Sequence, residues 1–500
     1  MRRIVCTTSS SVAFAVAGML CLAGCDLDVP DLNNPGLDQL AENPTPPAVS
    51  AACTGLIIGS RGNQTGIGAA NGYVSQLGIV GRESYNFDGA DPRFIGELLA
   101  GPLVASSAFG GAFWQPHYTN IRLGNIILAA TDAVEGFDDT QKQAIRGFVR
   151  TIMALDLLHV IATHDSIGAV IDTNRDIHEL GAIVSKEEVY AEIARLLDEG
   201  QSELMEGGTE FPFNLSTGFA GFEGPATTFL QFNRAMAARI AVYREEYDAA
   251  ITAIDQSFLG ADPTSVEGLE RGVYYSFSTG AGDVTNQLNN PNIYGHPSLL
   301  DDAEIVSGSG DTAIHDQRYE RKIRQVADNV NDPAGSAQGV SSKLKFRMYV
   351  NPDDKIWIIK AEELVLLRAE ARWAQGDLPA ATADLNLVRT ISGGLPPLAD
   401  GLSADAIEDQ ILYNRRYSLM FESGHRWIDA RRFSQLDLDH DGAADRPEIV
   451  DEQLPLAVTM DDCVGVMGCD PHVRNLRYPL PTDECDARPG EPRCLMDSLE

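Results

Sequence analysis

Aromatic rings are scarce in this sequence. Phe, Tyr and Trp make up 7% of its 500 residues, and only four are Trp. Positive charge is scarce too: 38 Lys and Arg face 72 Asp and Glu, a formal net charge of −34. A surface this acidic repels phosphate backbones, which excludes nucleic acid as a partner. The nine His are scattered. No HExxH helix, GxSxG elbow or Walker loop occurs. "THDSIG" sets the triad types His164, Asp165 and Ser166 side by side, but adjacent residues cannot all converge as a relay. Any acid pair for glycoside hydrolysis would be an arbitrary choice among 72 acids. Heptad arrays and low-complexity tracts are also missing. Nothing here points to an enzyme. The apolar fraction of 44% is nevertheless ample for a packed core.

Long hydrophobic runs are missing as well. The longest, Val12 to Leu22, falls short of the ~20 residues a membrane span needs. Preceded by Arg2 and Arg3, it reads as the apolar region of a secretory signal. Leu22-Ala23-Gly24-Cys25 resembles a lipobox, the cleavage site of bacterial lipoproteins. Residues 1–24 are then a signal peptide, and Cys25 is the lipidated first residue of the mature chain. Several acyl chains, at ~0.8 kcal/mol per buried CH₂, anchor a soluble body stably. Residues 25–50 are polar and proline-rich, with Asp26, Asp28 and Asp31 near the anchor. They read as an extended, solvated tether rather than as helix.

Cysteine usage agrees with export. Beyond Cys25 there remain Cys53 and, within 460–500, Cys463, Cys469, Cys485 and Cys494. An oxidising compartment predicts two disulfides in this last segment, most simply Cys463–Cys469 and Cys485–Cys494 among three connectivities. Zinc fits the spacings poorly, because no CxxC knuckle is present. Cys53 is left over and reads as a buried thiol.

The texture between is mainly α, with helices separated by long irregular loops. A helical pattern surfaces between Ser106 and Val134. Residues 140–163 repeat apolar side chains at helical spacing through Ile145, Phe148, Ile152 and Leu155. Residues 185–203 form an amphipathic helix with Ser185 as its cap. Residues 226–258 and 359–390 read as paired antiparallel helices. In the second pair Gly376 ends one helix in the left-handed conformation, and Asp377 caps the next. Small alanines let the partners approach, a tetratricopeptide-like pattern, although the units are scattered rather than tandem. Residues 260–350 are rich in Gly, Asn, Asp and Ser and predict irregular loops of the kind that carry function.

Several segments together resemble the SusD/RagB family of outer-membrane lipoproteins. "FWQPHYTNIRLGNIIL" carries a W-x3-Y-x2-I pattern through Trp114, Tyr118 and Ile121, with Asn125 beyond. "IKAEELVLLRAEARWAQGDLPAATADLNLVR" carries Glu363, Leu366, Ala369, Glu370, Ala371, Gly376, Asp377, Ala381, Asn386 and Arg389. "NRRYSLMFESGHRWIDARRF" carries Arg415, Leu419, Glu422, Gly424, Arg426, Trp427, Asp429, Arg431 and Arg432. "LRYPLPTDE" closes the series with Pro479, Pro481 and Glu484. Lys360 stands where an Arg is expected, Asn414 and Ser418 where acids are expected, and Ser423 is an extra residue. The resemblance implies a SusD-like fold and one nutrient-binding domain over 25–500. It implies capture of an oligosaccharide or peptide and hand-over to a SusC-like TonB-dependent transporter, without catalysis. It also implies an outer-membrane, lipid-anchored location at the cell surface. A helical-repeat scaffold lipoprotein for envelope protein assembly is the alternative. The motif charges Glu363, Glu370, Glu422, Arg426, Asp429 and Arg432 read as ion pairs that lock helices, with ligand contact left to variable loops.

Two further groups are candidates. Asp437, Asp439, Asp441, Gly442, Asp445 and Glu448 fall at positions 1, 3, 5, 6, 9 and 12 of a twelve-residue loop. This is the spacing of a calcium loop, with the Ala443 carbonyl as a further oxygen and Ca²⁺ in a structural role. Pro447 disfavours a following EF-hand helix. Flat rings stack on sugar faces, so the loop aromatics Tyr85, Phe87, Tyr274, Tyr275, Phe277 and Tyr294 are the ligand candidates. The four Trp, which include Trp357 and Trp373, lie on or beside apolar segments and read as core.

Overall fold

The computed structural model describes residues 37–62, 66–176, 178–438, 440–455, 474–496 and 498–499. Cys25, Asp439, Cys463 and Cys469 lie outside the described residues. The helices of nine residues or more are α1 (Pro46–Arg61), α2 (Gln115–Ala133), α3 (Asp139–His164), α4 (Lys186–Met205) and α5 (Leu230–Tyr243). They continue with α6 (Tyr247–Asp255), α7 (Ala361–Ala374), α8 (Leu378–Ile391), α9 (Ala404–Ser418) and α10 (His425–Phe433).

Local chemistry sets the boundaries. Ser185 accepts from the Glu188 N–H while Glu188 reaches back to the Ser185 N–H, a reciprocal cap that starts α4. Asp138 and Gln141 do the same for α3. Gly376 sits at φ +79°, and Asp377 accepts from the Ala380 N–H, so α7 turns directly into α8. The tether expectation fails at its end. Leu37–Glu42 is helical and α1 starts at Pro46, because proline in the first turn forfeits no intrahelical donor.

Each helix packs on the next: α2 on α3, α3 on α4, α4 on α5, α5 on α6, and then α7 against α6, α8 and α9. Close approach of α3 and α4 rests on Gly147 and Gly200. A Cβ at Gly147 would meet the Gly200 carbonyl at 2.8 Å. Buried Phe148 anchors a ring cluster with Phe211, Phe213 and Phe229, which is where much of the small aromatic content is spent. One contiguous core runs from Leu40 to Leu480, with the Cys53 thiol buried in it.

The stretch read as irregular holds short strands. Ser84–Asn86, Ile293–Gly295, Leu344–Phe346 and Ile323–Gln325 form an antiparallel sheet in that spatial order. Ile356–Lys360 pairs with Gly272–Tyr275. Strands of three to five residues are too short to show a period of two, and their partners are distant in sequence. Among the described residues no helix is long and apolar enough to cross a membrane.

The motif charges lock this frame. Arg239 grips Glu363, Arg432 grips Glu370, and Arg415 bonds Asp429 at 2.7 Å. The departures are accommodated. Lys360 Nζ donates to Glu422 at 2.7 Å and to the Ser418 carbonyl at 2.8 Å. Asn414 and Ser418 both accept from Arg318, whose charge is balanced by Asp316.

Candidate functional site

A cleft of about 490 Å³ opens where three separate segments meet. That volume is in the range of small-molecule sites. The first wall is the start of α2, with Trp114, Tyr118, Thr119 and Arg122. The second follows the Ala169–Val170 strand, with Asp172, Thr173, Arg175, Asp176 and Glu179. The third is Pro481, Asp483, Glu484 and Arg488.

Tyr118 fixes the first wall to the second. Its hydroxyl donates to the Val170 carbonyl at 2.9 Å and accepts from the Val170 N–H at 2.6 Å. Burial pushes its pKa up, so it stays a neutral phenol. Trp114 is buried behind it, 4.9 Å ring to ring. Asn125 donates to Thr173 at 3.0 Å. The third wall is tied back by Arg488, which donates to the Gly181 carbonyl at 2.7 Å and to Glu484 at 2.6 Å. The Cys485–Cys494 disulfide staples this segment. Arg175 is paired with Asp172. Arg122 is exposed and has no ion pair among the described residues. The lining thus mixes hydroxyls, carboxylates and one uncommitted guanidinium, a surface suited to hydrogen-bonding a polyhydroxylated ligand.

Motif residues read as scaffold, Trp114, Tyr118, Pro481 and Glu484, line this cleft. Arg122, Asp172, Asp176 and Glu179 had no sequence signal, since isolated polar residues in a polar chain look like ordinary surface.

The six candidate rings come together as two groups. Tyr85 and Tyr294 are cross-strand partners, with Phe87 5.4 Å from Tyr294 and His296 5.0 Å from Tyr85. Tyr275 approaches Ser60 at 3.3 Å, and Phe277 lies under Arg61. Tyr85, Tyr275, Phe277 and Tyr294 are buried, so these four rings pack beneath loops rather than face solvent. Phe87 and Tyr274 are half-buried. Trp357 corrects the expectation of core. It sits half-buried opposite Tyr274 on the ladder, ring centroids 5.4 Å apart, with Lys355 Nζ 3.8 Å above it. Its strand is irregular between Trp357 and Ile359, and Trp357 is the one residue of Ile356–Lys360 that is not fully buried.

His164, Asp165 and Ser166 diverge. His164 is buried and held neutral, its pKa lowered to about 4 by desolvation. Asp165 pairs with Lys186, and Ser166 accepts from Arg477.

In the acidic loop Asp437 accepts from the N–H groups of Asp441 and Gly442, at 3.0 and 2.9 Å. Asp445 accepts from the Leu438 N–H. The first-position carboxylate therefore holds the backbone of positions 5 and 6. Exposed Glu448 lies 3.5 Å from Arg446, which also holds Glu408 and Asp409. Among the described residues the loop carboxylates do not gather on one point.

The architecture is that of a helical scaffold of tetratricopeptide-like hairpins presenting clefts between loops. Residues 353–490 match the sequence profile of the SusD family, and the fold is the SusD fold. A SusD superfamily protein from Bacteroides vulgatus superposes with a TM-score of 0.62 at 13% identity, over 91% of this chain and 98% of that one. A laminarin-binding SusD-like protein gives 0.60 at 15% identity, over 88% and 97%. Surface glycan-binding protein A from Bacteroides uniformis gives 0.59 at 14% identity, over 90% and 98%. No curated protein matches the chain in sequence.

Proposed function

We propose that this protein is an outer-membrane lipoprotein that captures an oligosaccharide and hands it to a SusC-like TonB-dependent transporter, without catalysis. The observation that carries the reading is the polar cleft between α2, the 170–181 segment and residues 481–488, on a fold shared with glycan-binding proteins. Its lining can pair the alternating donors and acceptors of sugar hydroxyls. The lipid on Cys25 would hold the domain at the cell surface, and residues beyond it would let the domain hinge over the transporter. The acidic loop 437–448 would take Ca²⁺ in a structural role, with Glu448 leaving Arg446 to complete the oxygen set.

The test has two arms. Tagged, lipidated protein is pulled from native outer membranes in mild detergent. A large TonB-dependent barrel in near-equal amount supports hand-over, and a chain that comes down alone or with periplasmic assembly factors removes it. In the second arm, isothermal titration against an oligosaccharide panel compares the native protein with Arg122→Ala. Heat with no member of the panel, alongside heat with peptides, would reassign the ligand class.

A further inference from the structure

Elsewhere on α2, and on α3, three metal-ligating side chains are buried against one another: His117, Asp156 and His159. One donor atom from each lies within 4.8 Å of the others. Asp156 and His159 stand three apart on α3 and so share a face of that helix. His117 comes from α2, its ring plane 18° from that of His159 and the ring centroids 4.8 Å apart. His117 Nδ1 lies 2.8 Å from Asp156 Oδ1.

Two features set this cluster apart from an ordinary buried hydrogen-bond pair. His159 is 7% exposed, and its Nδ1 has no well-aligned hydrogen bond, only the Leu155 carbonyl one turn back. A buried ring so weakly held is open to a stronger partner. The cluster also lies between two small voids. One, of about 30 Å³, touches His117, Ser60, Tyr73 and Phe113. The other, of about 20 Å³, touches His159, Tyr73 and Tyr275. Each is large enough for one water, which needs roughly 10–15 Å³.

An outer shell is already built. Asn120 Nδ2 donates to Asp156 Oδ2 at 2.6 Å and to the Leu56 carbonyl at 3.0 Å, so Asp156 is oriented through α1. Ligating carboxylates characteristically carry such a supporting bond. Two imidazoles and a carboxylate form the borderline donor set that suits zinc and its first-row neighbours. They do not suit calcium or magnesium, which prefer oxygen alone.

We propose that His117, Asp156 and His159 bind one zinc-class divalent ion, completed by a water from an adjoining void, as a buried clamp between α2 and α3. The ion replaces the proton shared by His117 and Asp156 and takes one ring nitrogen of His159 into its shell. No bond is made or broken on a substrate, so the role is structural. The site shares α2 with the cleft, where Tyr118 follows His117 in the chain, but it uses none of the cleft-lining side chains and none of the acidic loop.

The test uses the full mature chain carrying a purification tag without histidine. Protein expressed in zinc-supplemented medium, and protein refolded from urea with one equivalent of Zn²⁺, are desalted and assayed for metal. The expected result is one retained equivalent and a rise in melting temperature that a chelator reverses. Cobalt loading should give the intense visible bands of a four-coordinate nitrogen–oxygen site without a thiolate charge-transfer band. His159→Gln should lose both the metal and the spectrum. Failure to retain zinc in either preparation overturns the proposal, as does retention undiminished in a folded His159→Gln. A thiolate band would assign the metal to cysteines, and a six-coordinate spectrum to the acidic loop. Either overturns the proposal on native protein alone, even if the variant does not fold.

Discussion

Arg239 of α5 and Glu363 of α7 form a two-pronged ion pair, Nε to Oε1 at 2.6 Å and Nη2 to Oε2 at 2.7 Å, with both side chains buried. Arg239 also donates to the Ile358 carbonyl, so the pair holds a strand as well as two helices. Burial pushes the Glu363 pKa up, but Arg239 and then His425 outweigh it and hold the carboxyl at about 2. Glu363→Gln strands a buried guanidinium and should cost about 3–5 kcal/mol in urea unfolding at pH 7.

The same pair predicts an acid dependence. The folded pKa lies below the ordinary carboxyl value of 4.5, so the unfolded chain takes up the proton first. The stabilisation is complete above the unfolded value and is lost as pH falls from there toward about 2. Unfolding midpoints measured between pH 7 and 3 should fall with acid in the native protein. The fall should be shallower in Glu363→Gln.

Arg122 should matter for binding and not for stability. It is exposed and its charge is uncommitted, so Arg122→Ala should change unfolding free energy by no more than about 0.5 kcal/mol. Losing one hydrogen bond from a charged donor to a ligand should weaken binding about tenfold or more. Trp357→Ala is the control. If affinity falls there while Arg122→Ala is silent, the site lies on the Trp357–Tyr274 ladder instead.

The sequence made the helical frame readable because its caps are chemical and local. Ser185 with Glu188, and Gly376 with Asp377, mark helix ends to within a residue or two. Glu363, Glu370, Glu422, Asp429 and Arg432 were readable as locks because pairing offsets the cost of burying charge. Arg426 departs from that expectation and, like Arg431, is buried against backbone carbonyls instead of a carboxylate. Three features were hidden for physical reasons. "IWIIK" reads as a continuous apolar run, so nothing marks Trp357 as its outward residue. Pro46 reads as a breaker but is a first-turn residue of α1. The cleft lining is assembled from segments hundreds of residues apart, and spacing cannot report that.

Cys485→Ser opens a link across nine residues of chain. The loop-entropy expectation is a loss of about 2–3 kcal/mol. Because Glu484 and Arg488 belong to the same segment, oligosaccharide affinity should fall with it. Calorimetry of the variant against the native protein separates the two effects: a lower melting temperature with unchanged affinity would leave the staple outside the site.

Calcium should raise the melting temperature if the acidic loop takes it. Asp437 gathers the backbone of positions 5 and 6, so Asp437→Asn should abolish the shift while leaving the calcium-free melting temperature within a few degrees. A melting curve indifferent to calcium at millimolar concentration ends that reading.

The third wall of the cleft is synthesised long after the first. A growing chain therefore has an incomplete cleft until residues 481–488 fold back against α2. Under the proposed binding role, recognition would begin only once the stapled segment 481–494 has folded back, so completing the fold and becoming competent to bind would coincide.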